Sequence, residues 1–467
     1  MPVARLLYTL LLAVALPAAA LILLWRGRRH PGYRAHWRER FLGILPNGYQ
    51  MAGAPPDSPA PRALAPGRPL VWIHAVSVGE TRAAQPLVEA LLAAPSGLRI
   101  LMTHGTPTGR QTSEDLFGDR IQRGYLPYDL PWAVATFLAE QRPVAGLLME
   151  TEVWPNLIAA CVAQRVPLCL VNARLSERSA RGYGRLTALF RPAFVGLTRV
   201  LAQTDADADR LSRLGAVDVR ITGNLKSDAE PDPRQIAAGL AWRAVWEAAL
   251  TASGGASRPV WLAASTREGE DTALIEAHQR LMAREPTALM VWVPRHPHRV
   301  SEIERALEAA ELTYARRGAG AAVAAEVAVW IGDTLGELAA YIATADVVFM
   351  GGSLVETGGQ NLLEPFAQAK PVVVGPHTFN FLQLTRDAVA RGAAIRVEDA
   401  AGLADAVAEL LSDAPRHQAV AEAGTRFRNT HRGSLAATLA GISALLPQAS
   451  ASDSLLPGSD ASSTGTR

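Results

Sequence analysis

A chain of 467 residues, 49% hydrophobic and 19% charged, has room for two or three packed domains. Its Lys+Arg total of 46 nearly cancels its Asp+Glu total of 44, which argues against a general nucleic-acid binder. Its two cysteines, Cys161 and Cys169, lie in apolar runs with neither a disulfide framework nor a Cys/His zinc spacing, and this suits a reducing compartment.

The near balance of charge hides an asymmetry, because residues 1–40 hold seven Arg and one Glu but no Lys or Asp. Within them, 6–25 (LLYTLLLAVALPAAALILLW) carries no charge and is about long enough to cross a bilayer as a helix. Arg26, Arg28 and Arg29 follow, then Arg34, Arg38 and Arg40. Positive charge on that side predicts a membrane anchor with the body of the protein in the cytoplasm. The alternative is a cleaved signal peptide with PAAA (17–20) as its small-residue site, against which the weak n-region and the following Arg cluster both argue. Pro17 leaves open whether the segment spans or only dips into the bilayer.

The anchor and basic segment are expected over 1–50, followed by a Pro/Ala/Gly-rich linker over 51–69. Strand-length apolar runs then alternate with helical stretches, at 70–75, 99–104, 144–150, 167–173, 199–203 and 219–223. This predicts a parallel, doubly wound α/β domain over 70–226. A helical connector follows at 227–258, and the pattern restarts with runs at 259–265, 288–294, 327–333, 345–352 and 371–376. The second doubly wound domain is expected over 259–445 and a disordered Ser/Ala/Gly-rich tail over 446–467. Two such domains facing each other would hold ligands at the C-terminal ends of their strands, in the loops that follow.

Those loops carry the polar residues of interest. In SVGE (77–80), Glu80 opens a helix, where an acid complements the helix dipole; at a cleft it could also be a general base. In METEVWPNL (149–157), Glu150 and Glu152 end a buried strand and need partners or shifted pKa values, although Thr151-Glu152 could simply cap the next helix. NARLSERS (172–179) comes next, then TGNLKSD (222–228). Lys226 in the latter is one of only two lysines in the chain and reads either as an anion-neutralising group or as a solvated loop lysine.

In the second half, VPRHPHR (293–299) puts Arg295 straight after a strand, where it suits a phosphate or carboxylate; His296 and His298 are weak as a metal pair. GDTLGEL (332–338) is expected to open a helix containing Glu337. In MGGSLVETGGQNLLEP (350–365), the Gly351-Gly352-Ser353 amides suit an anion, and Glu364 is expected as a buried acid able to bond the hydroxyls of a ribose. DADAD (205–209) reads as the acidic start of an amphipathic helix rather than as a metal site. No Walker A pattern and no GxGxxG after the first strand is present.

Taken in order, HAVSVGE, METEVWPNL, NARLSERS, GNLKSD, VPRHPHR, GDTLGEL and GGSLVETGGQNLLEP…GPHTFNF resemble the 3-deoxy-D-manno-octulosonic acid (Kdo) transferases of Gram-negative bacteria, from the anchor to about residue 445. The resemblance implies a GT-B fold, CMP-Kdo as donor and a lipid A precursor as acceptor. It also implies an inverting reaction with no metal or other cofactor, at the cytoplasmic face of the inner membrane. It makes Glu80 the general base and Glu150 and Lys226 the residues that stabilise the transition state. CMP contacts fall on Pro294 and Arg295, on Leu335, Gly336 and Glu337, and on Asn361, Leu362, Leu363 and Glu364.

The chain departs from that pattern at Gln360 and Leu362, where GGHNPLE is usual, and at Ser227, where NLKFD is usual. The first two bear on the CMP contacts. Rival readings are another GT-B enzyme such as a UDP-sugar transferase or epimerase, a catalytically silent tethered binder of nucleotide sugars, and an exported binding protein.

Overall fold

The structure, a computed structural model, describes residues 2–28, 30–45, 68–94, 97–228, 230–255, 258–320 and 323–447. The expected linker and tail lie almost wholly outside these residues. The chain forms two compact units, one of residues 1–229 with the segment from Gly433 onward, the other Glu230–Arg432.

In the first unit the strands are β1 (Leu70–His74), β2 (Arg99–His104), β3 (Gln122–Tyr125), β4 (Ala145–Met149), β5 (Leu168–Ala173), β6 (Arg199–Ala202) and β7 (Val219–Ile221). They make one parallel sheet in the order β3-β2-β1-β4-β5-β6-β7. Helices cover both faces, so the central strands are apolar on both sides and read as continuous runs rather than alternations. Successive residues feed opposite cores: Trp72, Leu148 and Leu170 pack on one face, and Val71, Ile73, Leu147 and Val171 on the other.

The second unit holds β8 (Val260–Thr266), β9 (Leu289–Pro294), β10 (Tyr314–Arg316), β11 (Val329–Ile331), β12 (Val347–Met350), β13 (Val372–Val374) and β14 (Ala394–Arg396). They form a second parallel sheet in the order β10-β11-β9-β8-β12-β13-β14. The expected doubly wound α/β pattern is therefore present twice. The strands that went unpredicted, β3, β10 and β14, are all at sheet edges. An edge strand is covered less fully and needs no continuous apolar run, as QRGY, YAR and AIR illustrate.

One domain boundary differs from expectation. The helix Ser434–Ile442 belongs to the first unit, not the second. Ile442 joins the core face of Ile73 and Val171, and Asp228 accepts the N–H groups of Gly433 (2.7 Å) and Leu435. Gly441 lies so close to β6 that a Cβ there would be 2.8 Å from Leu201.

The N-terminal apolar segment is a 24-residue helix, Val3–Arg26, which contains Pro17. Its length and apolar character suffice to cross a membrane. Leu7, Leu11, Val14 and Leu21 are exposed along it. Its first turns are tied to the first unit: Thr9 exchanges hydrogen bonds with Asn156 and the Tyr8 hydroxyl bonds Asp129.

Candidate active site

Strand order reverses between β1 and β4 in the first sheet, the kind of switch point where doubly wound sheets bind ligands. The loops leaving these two strands carry the acids. Ser77 caps the helix Val78–Ala93, accepting from the Glu80 N–H, while Glu80 folds back to accept from the Val76 N–H and from the Ser77 hydroxyl (3.2 Å). This is a variant of the capping box in which the Val76 N–H takes the place of the Ser77 N–H, so Glu80 has a structural part in closing the helix start. A second property is laid over it. Burial pushes the Glu80 carboxyl up to about 7, Glu152 and Glu150 add to the rise, and the Val76 N–H opposes it.

Glu150 leaves β4 with φ of 58°, the left-handed region that an ordinary side chain rarely adopts. Its N–H still bonds the Val171 carbonyl (2.9 Å), and its nearly buried carboxylate meets Arg174 Nε at 3.1 Å and Lys226 Nζ at 3.5 Å. Lys226 rides on the short 3-10 turn Leu225–Asp228, pinned by the buried Leu225 and by Asn172 Oδ1, which accepts the Leu225 N–H (3.0 Å). Glu152 accepts from the Trp154 indole (2.8 Å), and burial raises its carboxyl as well, with Glu150 adding. It does not cap the helix Pro155–Ala163. Asp129 does so, accepting the N–H groups of Asn156 (2.9 Å) and Leu157 (2.7 Å).

The sequence-predicted Glu80, Glu150 and Lys226 thus form one cluster. Arg174, inside the NARLSERS motif but not singled out, joins it. The cluster sets a carboxyl that titrates near neutrality beside a carboxylate held between two cations, an arrangement suited to moving a proton.

In the second unit strand order reverses between β8 and β12. Here one expectation is corrected. The Gly351, Gly352 and Ser353 amides are not open to an external anion: Gly351 donates to the Ala264 carbonyl (2.8 Å), while Gly352 (2.7 Å) and Ser353 (3.1 Å) donate to Glu270. The fully buried Glu270 carboxylate also accepts from Leu354 (3.1 Å) and Arg267 (2.7 Å) N–H groups. Sequence reasoning missed Glu270. The signal was there: REGE (267–270) after β8 parallels SVGE (77–80) after β1, an acid closing the loop that leaves the first strand of each sheet.

The remaining predicted contacts are scattered along the neighbouring loops. Pro294 is the buried end of β9, and Arg295 is exposed beyond it with no side-chain partner among the described residues. Leu335 is exposed, and Gly336 has φ of 83°. Glu337 lies just before the helix Leu338–Thr344 rather than within it, and pairs with Arg317 at 3.1 Å and with the Thr334 hydroxyl. Asn361 Oδ1 accepts the Leu363 N–H (3.2 Å). Leu362 and Leu363 point into the core, so only their backbone is left for a ligand. Glu364, expected buried, is exposed on the short helix Leu363–Phe366.

DADAD does begin a helix, Asp205–Leu214, with Asp207 closed by Arg210, Thr204 and the Leu175 N–H. Among the described residues no group of three or more His, Cys, Asp and Glu side chains is placed to hold a metal ion.

Two parallel, doubly wound sheets in tandem are the architecture of the GT-B class, and the acid cluster lies at the switch point of the first. Residues 35–229 match the family model described as 3-Deoxy-D-manno-octulosonic-acid transferase (kdotransferase), and 320–427 match Glycosyl transferases group 1. A 3-deoxy-D-manno-octulosonic acid transferase of Bordetella pertussis is 47% identical over 90% of this chain and 95% of its own length. One from Haemophilus influenzae is 34% identical over 92% and 96%. The chain belongs to the Kdo transferase family. A glycosyltransferase from Rickettsia africae, 12% identical, shares the fold over 81% of this chain and 99% of its own, with a TM-score of 0.54.

Proposed function

We propose that this enzyme transfers Kdo from CMP-Kdo to a lipid A precursor during lipopolysaccharide synthesis, with inversion and without a metal. The observation that carries the chemistry is Glu80, a carboxyl titrating at about 7 beside the Glu150–Lys226–Arg174 group. An acceptor hydroxyl gives its proton to the Glu80 carboxylate as its oxygen bonds the anomeric carbon of Kdo. The bond from that carbon to the phosphate breaks, and its electron pair leaves with CMP. Attack opposite the leaving group inverts the configuration. Lys226 and Arg174 pair with Glu150, and fixed cations of this kind oppose growing negative charge.

The N-terminal helix supports a lipid acceptor and the cytoplasmic face of the inner membrane. Its exposed leucines suit acyl chains, and the arginines beyond it suit anionic headgroups. Tyr8 and Thr9 are bonded to the folded domain, so that end of the helix stays on the domain's side of the bilayer. We infer that the helix lies in the interface rather than crossing it.

The test is transfer from CMP-Kdo to a lipid A precursor, read by mass spectrometry of the lipid. Wild type adds Kdo, and Glu80→Gln loses about a hundredfold in rate or more. CMP-Kdo binding without transfer by the wild type would overturn the transferase reading. Undiminished activity of Glu80→Gln would move the base elsewhere.

A further inference from the structure

With the Gly351 amide closed by Ala264 and those of Gly352 and Ser353 by Glu270, this turn offers a donor phosphate side chains rather than amides. The same turn is covered by one. A Cβ built on Gly352 would lie 3.2 Å from Arg267 Cγ, so the arginine stem runs directly over this glycine. Its guanidinium reaches the loop after β9, where Nη1 is 3.0 Å from His296 Nε2. Arg267 Nε is buried and has no hydrogen-bond partner. Arg295 stands in the same loop, and His296 stacks on His298 with ring centroids 5.5 Å apart. Among the described residues no carboxylate pairs with Arg267 or Arg295. The adjoining Arg299, by contrast, is closed by Asp271 and Glu302. Cations gathered at a switch point without a carboxylate partner are the complement of an anion.

We infer that Arg267, oriented by His296, binds the phosphate of the nucleotide donor and takes up the charge left on it when the sugar departs. The inference rests on the CMP-sugar reading above and adds to it a residue that the sequence motifs did not single out. No bond forms to Arg267: the sugar–oxygen bond breaks, its electron pair stays on the phosphate oxygen, and the guanidinium donates hydrogen bonds to the product CMP. The Nη1 contact requires His296 to present a bare Nε2, which makes the imidazole an acceptor that turns the fork and not itself the phosphate ligand.

The test is equilibrium binding of CMP to the purified full-length protein, with thermal unfolding of each variant as a check on folding. Arg267→Met keeps the stem over Gly352 and removes the charge, and CMP affinity is expected to fall about ten- to a hundredfold at unchanged melting temperature. Arg267→Lys recovers part of that loss. His296→Ala loses severalfold, and His296→Gln, which restores an acceptor, regains it. If Arg267→Met binds CMP as tightly as wild type does, the inference falls alone. If wild type itself does not bind CMP, the donor reading falls and takes the inference with it.

Discussion

Glu80 gives the most direct link between the structure and the pH dependence of the reaction. A general base with a pKa of about 7 is half ionised at neutrality. At pH 6 about a tenth of the enzyme carries the base form, so kcat/KM there is expected at roughly a tenth of its alkaline plateau. The cause of the shift supplies a second perturbation. Burial leads, but Glu152 and Glu150 also push the pKa up. Replacing Glu152 by Gln removes one neighbouring negative charge, favours ionised Glu80 and moves the acid limb to lower pH. Stability follows the same sign. The folded pKa lies above the ordinary value of 4.5, so between 4.5 and about 7 the native state binds the extra proton. The protein is therefore most stable, as far as this group goes, below 4.5, and loses that contribution as pH rises through 7. The assay is kcat/KM for Kdo transfer from pH 5.5 to 8.5 at constant ionic strength, for wild type and Glu152→Gln. A flat profile, or a limb that moves to higher pH in the variant, would refute the reasoning.

Glu270→Ala strips the acceptor from four N–H groups, two of them buried and two part-buried, and unfolding should show a loss of about 3 kcal/mol, with Glu270→Gln losing less because one carbonyl oxygen remains. Leu11→Glu with Val14→Glu places charge on the exposed face of the N-terminal helix. Sedimentation with anionic vesicles should drop severalfold while the melting temperature holds; unchanged vesicle binding would rule out this face as the membrane contact.

The fold was legible where burial on both sides of a sheet writes itself into local sequence. β1, β4, β8 and β12 are buried strands built on apolar runs, and their outgoing loops could be located to within a residue or two. β3, β10 and β14 were not legible, because partly exposed edge strands need no such run. Glu80, Glu150 and Lys226 could be picked out from motif and position, since each follows a recognisable strand or sits at the end of the first domain.

The amino-acid order by itself determined the alternation of strand and helix, the two tandem sheets, the apolar N-terminal helix and the acids that leave the first sheet. These depend on periods and caps within some ten residues. Only the tertiary structure decided what each polar group meets. It closed the glycine turn with Glu270 from 82 residues away, set Arg267 against His296, and joined Lys226 to Glu150 across 76 residues. It also returned the helix Ser434–Ile442 to the first unit, under Leu201 and beside Asp228. Such pairings are chosen by which chain segments the packed sheets bring together, and a buried charge or amide takes whatever partner lies there, because leaving it unpaired would cost more than any local preference.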